Sequence, residues 1–73
     1  MFVNTELEKE REVLQRLRGI QSVREAFMLY GPYDVVAVIE ADSMENLNQI
    51  YKMITQIEGV QSATTMIAIE GKS

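Results

Sequence analysis

The apolar residues of this chain fall into two kinds of pattern. Met44, Leu47, Ile50, Tyr51, Ile54 and Ile57 recur every three or four positions, the spacing that gathers side chains on one stripe of a helix. Leu7, Val13, Leu14 and Leu17 draw a similar stripe earlier, with charges between them. Elsewhere the apolar residues come in short consecutive runs. Residues 23–30 include Ala26, Phe27, Met28, Leu29 and Tyr30, residues 35–39 read Val-Val-Ala-Val-Ile, and Ala63–Ile69 is similar. Runs of this length predict strands. In the first, Phe27 and Leu29 are expected on one face and Ala26, Met28 and Tyr30 on the other. A strand with one wet face alternates apolar and polar, so runs apolar at successive positions predict strands covered on both sides.

The helix ends follow from the residues around the stripes. Thr5 with Glu8 has the spacing of a capping box, and Asp42 with Glu45 is a looser one. Glu6, Glu8 and Glu10 fall near the positive end of the first helix, and Arg16 and Arg18 near its negative end. Gly19 is expected to stop that helix in a left-handed turn. Glu12 and Arg16 are spaced for an i, i+4 pair on a solvated face, worth tenths of a kcal/mol.

Shifted by 37 positions, the sequence partly matches itself. Val13, Leu14, Leu17, Ile20, Val23 and Ala26 fall on Ile50, Tyr51, Ile54, Ile57, Val60 and Ala63; Phe2 falls on Ile39, and Thr5 and Glu8 on Asp42 and Glu45. Each half therefore reads strand, cap, helix, short loop, strand. Two such halves predict an α+β, ferredoxin-like βαββαβ sandwich. Right-handed crossovers put both helices on one face of a four-stranded antiparallel sheet. The other face is then bare, and leaving four apolar side chains wet forgoes ~1.5–3 kcal/mol each. A second copy laid sheet to sheet is the expected cover.

Composition sharpens this picture. The chain has 73 residues, enough for one domain (1–73), and one of this size buries only about 60% of its unfolded surface. Its 47% hydrophobic content is ample for so small a core, again pointing to apolar surface meant for another copy. There is no run of the roughly 20 apolar residues a membrane helix requires, so a cytoplasmic protein is expected. Zero cysteines and zero histidines remove thiol chemistry, thiolate metal sites and the usual general base; neither catalytic nor metal-binding residues are predicted, and no cofactor is called for. With a net charge of -4 and scattered basic residues, direct DNA binding is not expected.

The most specific stretch is the corner between the two middle strands, Tyr30-Gly31-Pro32-Tyr33-Asp34. Glycine, proline and aspartate suit a turn on their own account. Two large aromatics beside the tip are less usual and suggest a contact surface. With Thr5-Glu6 leading into a charged helix, and Ile20-x-x-Val23 followed by Ala26, the Gly31-x-Tyr33-Asp34 corner resembles the effector-binding domain of the Lrp/AsnC family of amino-acid-responsive transcriptional regulators. That module is also called the RAM domain (regulation of amino-acid metabolism), an architectural relative of ACT domains. The likeness extends over nearly the whole chain. It departs where Leu7-Glu8 replaces the family's Pro-Gly after Thr-Glu, and in the shortness of the first strand, Met1 to Asn4 at most. Full-length members carry a helix-turn-helix domain ahead of this module, and the sequence reads as a stand-alone version without it.

The resemblance implies homodimers that close into rings, octamers or decamers, with an amino-acid effector between dimers against the corner. It places Gly31 and Asp34 at the motif's glycine and aspartate, Tyr30 and Tyr33 beside them, and Met28 on the incoming strand. Thr64 and Thr65 fall where the family draws hydroxyl ligands, although β-branched strand filling is the better account of at least one of them. Backbone N–H groups beside a glycine can approach a carboxylate, and aspartate and threonine oxygens can accept from an ammonium. The five methionines are expected to fill gaps in the core. The implied function is non-enzymatic sensing and oligomerisation, with full-length Lrp/AsnC-type regulators as possible partners. The alternative is a small dimeric α+β-barrel enzyme, isomerase- or monooxygenase-like, which requires a chamber between sheet and helices holding an Asp or Glu.

Overall fold

A computed structural model describes residues 1–67. The elements are β1 (Phe2–Thr5), α1 (Glu10–Arg18), β2 (Val23–Met28), β3 (Val35–Ile39), α2 (Met44–Thr55) and β4 (Val60–Thr64). The strands form one antiparallel sheet in the order β2-β3-β1-β4, the expected βαββαβ sandwich. Both helices lie on one face. Val13, Leu14 and Leu17 of α1 and Ile50 and Ile54 of α2 are buried against Val3, Val23, Ala26, Val35 and Ala37 of the sheet. Of the proposed stripes, these residues are buried in the core and Ile57 packs against it. Leu7, Met44 and Tyr51 stay at the surface, Leu7 being 86% exposed.

The internal repeat extends to the backbone. At the end of α1 the N–H of Ile20 donates to Leu17 O and that of Val23 to Ile20 O; at the end of α2 Ile57 donates to Ile54 O and Val60 to Ile57 O. The Ile-x-x-Val spacing is therefore one turn used twice, converting a helix end into a strand start. The strand that follows is bulged at the same place in both halves. On β2 the register skips Arg24, since Val23 pairs with Ile39 and Glu25 with Val38. On β4 it skips Gln61, since Thr5 pairs with Val60 and Asn4 with Ser62.

Several local expectations are corrected. Thr5 closes β1, so it cannot cap α1; that helix starts at Glu10 after Lys9, with no side-chain cap, and Glu8 sits at a φ of 68° in the preceding turn. At α2 the cap is Ser43, whose hydroxyl accepts from Asn46 N at 3.0 Å, while Asn46 Oδ1 accepts from Asp42 N. The box is one residue later than Asp42–Glu45 and uses Asn in place of Glu. Gly19 is not left-handed, its φ being -84°; the buried Gly59, at 100°, takes that conformation before β4. The ion pair on α1 joins Lys9 to Glu12 at 3.7 Å instead of Glu12 to Arg16. Of the methionines described, only Met1 is buried, while Met28, Met44, Met53 and Met66 are exposed. β4 ends at Thr64, and Ala68 and Ile69 of the expected apolar run lie outside the described residues.

The open face carries the second apolar set. Phe27, Val36, Phe2 and Thr64 are register partners in sequence across all four strands. β3 is thus apolar on both sides: Val35 and Ala37 are buried under the helices, and Val36 and Val38 point to the other face. In the single chain Phe27 and Val38 on this face remain 46% and 45% exposed.

Candidate functional site

The corner between β2 and β3 is a four-residue loop, Tyr30 to Tyr33, closed by Leu29 N donating to Asp34 O at 2.9 Å. Gly31 occupies its tip at a φ of 136°, with nothing within 4 Å of where a Cβ would stand. A side chain there would be strained by backbone conformation, with no lack of space. Tyr30 projects wholly into solvent, at 107% of its reference area. Tyr33 turns back instead, its ring centroid 5.2 Å from that of Phe2 on the open face. The two tyrosines thus have different work: Tyr33 anchors the loop to the sheet, and Tyr30 is presented outward.

Asp34 is the hub. Its N–H donates to Val3 O at 3.0 Å. Its Oδ2 accepts from Thr5 N at 2.7 Å and from Thr5 Oγ1 at 3.3 Å. Thr5 is buried, and the carboxylate satisfies both its backbone donor and its hydroxyl. A hydrogen bond to a charged acceptor contributes about 1.5–3 kcal/mol. Oδ1 has no hydrogen-bond partner among the described residues, so one face of the carboxylate is available to accept from an ammonium or a neighbouring chain. Sequence reasoning named Asp34 but missed Thr5 as its partner. The period-two placing of Met1, Val3 and Thr5 on one side of β1 was the available signal.

The remaining candidates divide. Met28 ends β2 beside Val35 and is half-exposed next to the loop. Thr64 pairs with Phe2, so it shares the open face with the ring on which Tyr33 rests. Thr65 goes elsewhere. It lines a cleft of about 630 Å³ at the opposite end of the sheet, with Val38, Ile39, Met44, Leu47 and Ile67. Within one chain, then, the structure gathers Met28, Tyr30, Gly31, Tyr33 and Asp34 at the corner, sets Thr64 on the adjoining face and leaves Thr65 apart. The cleft was not foreseen. It continues the lane of β1 between β3 and the residues after β4, beyond the point where Met1 exchanges backbone hydrogen bonds with Ala37 at 2.8 Å.

Among the described residues no closed chamber separates the sheet from the helices, the end cleft between β3 and the start of α2 being open. That space is filled by the core, and no buried side-chain polar atom lacks a partner among the described residues. Glu40 and Asp42 line the end cleft, both exposed, and Glu40 is held by Arg24 at 2.6 Å. Among the described residues no group of His, Cys, Asp or Glu is placed to hold a metal ion, and no helix is long and apolar enough to cross a membrane.

Comparison with known proteins agrees with this geometry. The Lrp/AsnC ligand binding domain matches residues 1–72. The chain belongs to the Lrp/AsnC family. Its fold superposes on the crystal structure of FFRP-DM1 with a TM-score of 0.87 at 38% identity, covering 93% of this chain and 92% of that one. A hypothetical protein of Pyrococcus horikoshii gives 0.84, also at 38% identity, over 93% and 83% of the two chains. An HTH-type transcriptional regulator, FL11, of Pyrococcus furiosus is 30% identical over 70 residues, 96% of this chain but 46% of the regulator. The homocitrate synthase of Sulfolobus acidocaldarius is 34% identical over 58 residues, 80% of this chain and 12% of the synthase. This Lrp/AsnC domain therefore spans less than half the length of either curated relative. It is a regulatory ligand-binding module by family, and its likeness to the synthase is confined to a small part of that enzyme.

Proposed function

We propose that this Lrp/AsnC domain is a non-enzymatic module that binds an amino acid and controls assembly. Copies pair through the open sheet face, dimers close into rings, and the effector sits between dimers against the corner of Tyr30, Gly31, Tyr33 and Asp34. Met28 borders the slot, and Thr64 and Thr65 contribute hydroxyls from a neighbouring copy. The output is passed in the cytoplasm to full-length Lrp/AsnC-type regulators or to another protein sharing the same surfaces.

The observation that carries this reading is the pairing of a family match over 72 residues with a second sheet face crossed from edge to edge by the uncharged row Phe27, Val36, Phe2 and Thr64. Similar stretches occur in a transcriptional regulator and in a synthase. What two such different proteins can share through this part is neither DNA binding nor catalysis; response to a small molecule suits both. The filled core argues against the α+β-barrel enzyme, which works in a chamber that this fold does not offer among its described residues.

Thermal-shift measurements against the twenty amino acids, with assembly size followed by light scattering, test the proposal. One or a few amino acids are expected to raise Tm and change the size distribution. A coupling of about 1–3 kcal/mol is the range a ligand supplies by preferring one assembly over another. Asp34→Ala should abolish that response while leaving the dimer folded. Ligand response and assembly both unchanged in Asp34→Ala would end the corner's role as an effector cradle.

A further inference from the structure

The two outer strands of the sheet, β2 and β4, present edges to which another strand could add. Their registers identify which backbone groups point outward. Ala37 exchanges both its backbone hydrogen bonds with Met1, so its groups face β1, and its partner on β2, Ala26, must face out. Likewise Val3 receives Asp34 N from the β3 side, so its partner on β4, Ala63, faces out. Ala26 and Ala63 are the same position of the internal repeat.

Both outward carbonyls are occupied by a side chain from the helix of their own half. Arg18 Nη2 of α1 donates to Ala26 O at 2.9 Å. Tyr51 Oη of α2 donates to Ala63 O at 3.3 Å. Each edge strand also carries its bulge two positions before the guarded residue, at Arg24 and at Gln61. Bulges, charges, short strands and side chains laid over the edge all hinder strand addition. Here the bulge and the side chain laid over the edge recur together at equivalent places on both edges, by different residue types.

We infer that Arg18 and Tyr51 are edge guards that close both sides of this sheet to strand addition by a second copy, confining self-association to the open face and the corner. The inference does not depend on the effector reading. It assigns to these two residues a role in choosing the interaction surface that is distinct from any part in ligand binding.

The test uses the full chain with Arg18→Met, Tyr51→Phe and the double variant. Methionine keeps an aliphatic stem, and phenylalanine keeps the ring, so the lost element is the donor. Sedimentation velocity across a concentration series, thioflavin fluorescence and Tm are measured together. The double variant is expected to form larger, concentration-dependent species with raised thioflavin signal, each single variant to a lesser degree, and Arg18→Lys to stay close to the parent. Arg16→Met makes the same charge change on the same helix and should retain the parent's size distribution. Parental size and fluorescence in the double variant, with or without a fall in Tm, would overturn the inference, as would equal aggregation in Arg16→Met. Should Arg18→Met lose its circular dichroism, Tyr51→Phe decides alone on the β4 edge. The size of the parent assembly reports separately on pairing through the open face.

Discussion

Gly59 illustrates how much one residue can be asked to do. It is buried with a φ of 100°, its carbonyl accepts from Glu6 N at 2.7 Å, and a Cβ there would stand 3.0 Å from Lys9 Cβ and 3.1 Å from Val13 Cγ2. Gly59→Ala therefore meets two penalties, backbone strain and a collision with the start of α1. A loss of about 1–3 kcal/mol is expected, the range for strained backbone, read as a lower urea midpoint at unchanged slope. Gly19→Ala, at an ordinary φ and with its nearest neighbour 3.5 Å away, should be close to neutral. The sequence pointed to Gly19 as the left-handed residue because it follows a clear helix stripe. It could not show that α1 ends without that turn, or that Gly59 has a second chain segment pressed against it. Asp34 is a similar case. Its place in the corner was legible from the Gly-x-Tyr-Asp spacing, but its grip on Thr5 depends on a contact between residues 29 positions apart.

At the scale of elements, the apolar periods located both helices and all four strands, and the repeat supplied their order. The misses lie at the ends, where one hydrogen bond decides. Thr5 and Asp42 both had the composition of a cap; Thr5 was claimed by the sheet, and Asp42 lost the position to the neighbouring Ser43. Because the Ser43 hydroxyl satisfies Asn46 N, Ser43→Ala should destabilise by about 1 kcal/mol, while Asp42→Ala should cost less. Chemical denaturation of the two variants side by side checks the ranking. The core distributes its load more evenly. Leu17 and Ile54, equivalent in the two halves, are both fully buried and belong to one core cluster. Either one cut to alanine should cost about 2–5 kcal/mol and lower a single cooperative transition, since neither half has a core of its own. Separate transitions for the two halves would contradict that.

For the whole molecule the decisive feature is the difference between its sheet faces. One row of the open face, Phe27, Val36, Phe2 and Thr64, runs from edge to edge and contains no charge. Charged residues at such a row resist a sheet-to-sheet contact and cost little if the face is wet. Val36→Asp is expected to abolish pairing and, because so small a core is marginal by itself, to unfold the chain at micromolar concentration. A stable, well-folded monomer of this variant by sedimentation and circular dichroism would show that the core needs no second copy. The apolar run from Val35 to Ile39 made this face visible in the sequence; the end cleft beyond Met1 was not, because it is a gap defined by three segments distant in the chain. The repeat has one more consequence, for the order of the chain itself. Met28 and Val35 are joined by the corner, while Phe2 and Thr64 stand as partners in an equivalent antiparallel pair with no link between them. A short connection there would make the two halves interchangeable around a closed circuit, so the protein could be opened at Gly31 and read as a circular permutant with every strand and both helices in place.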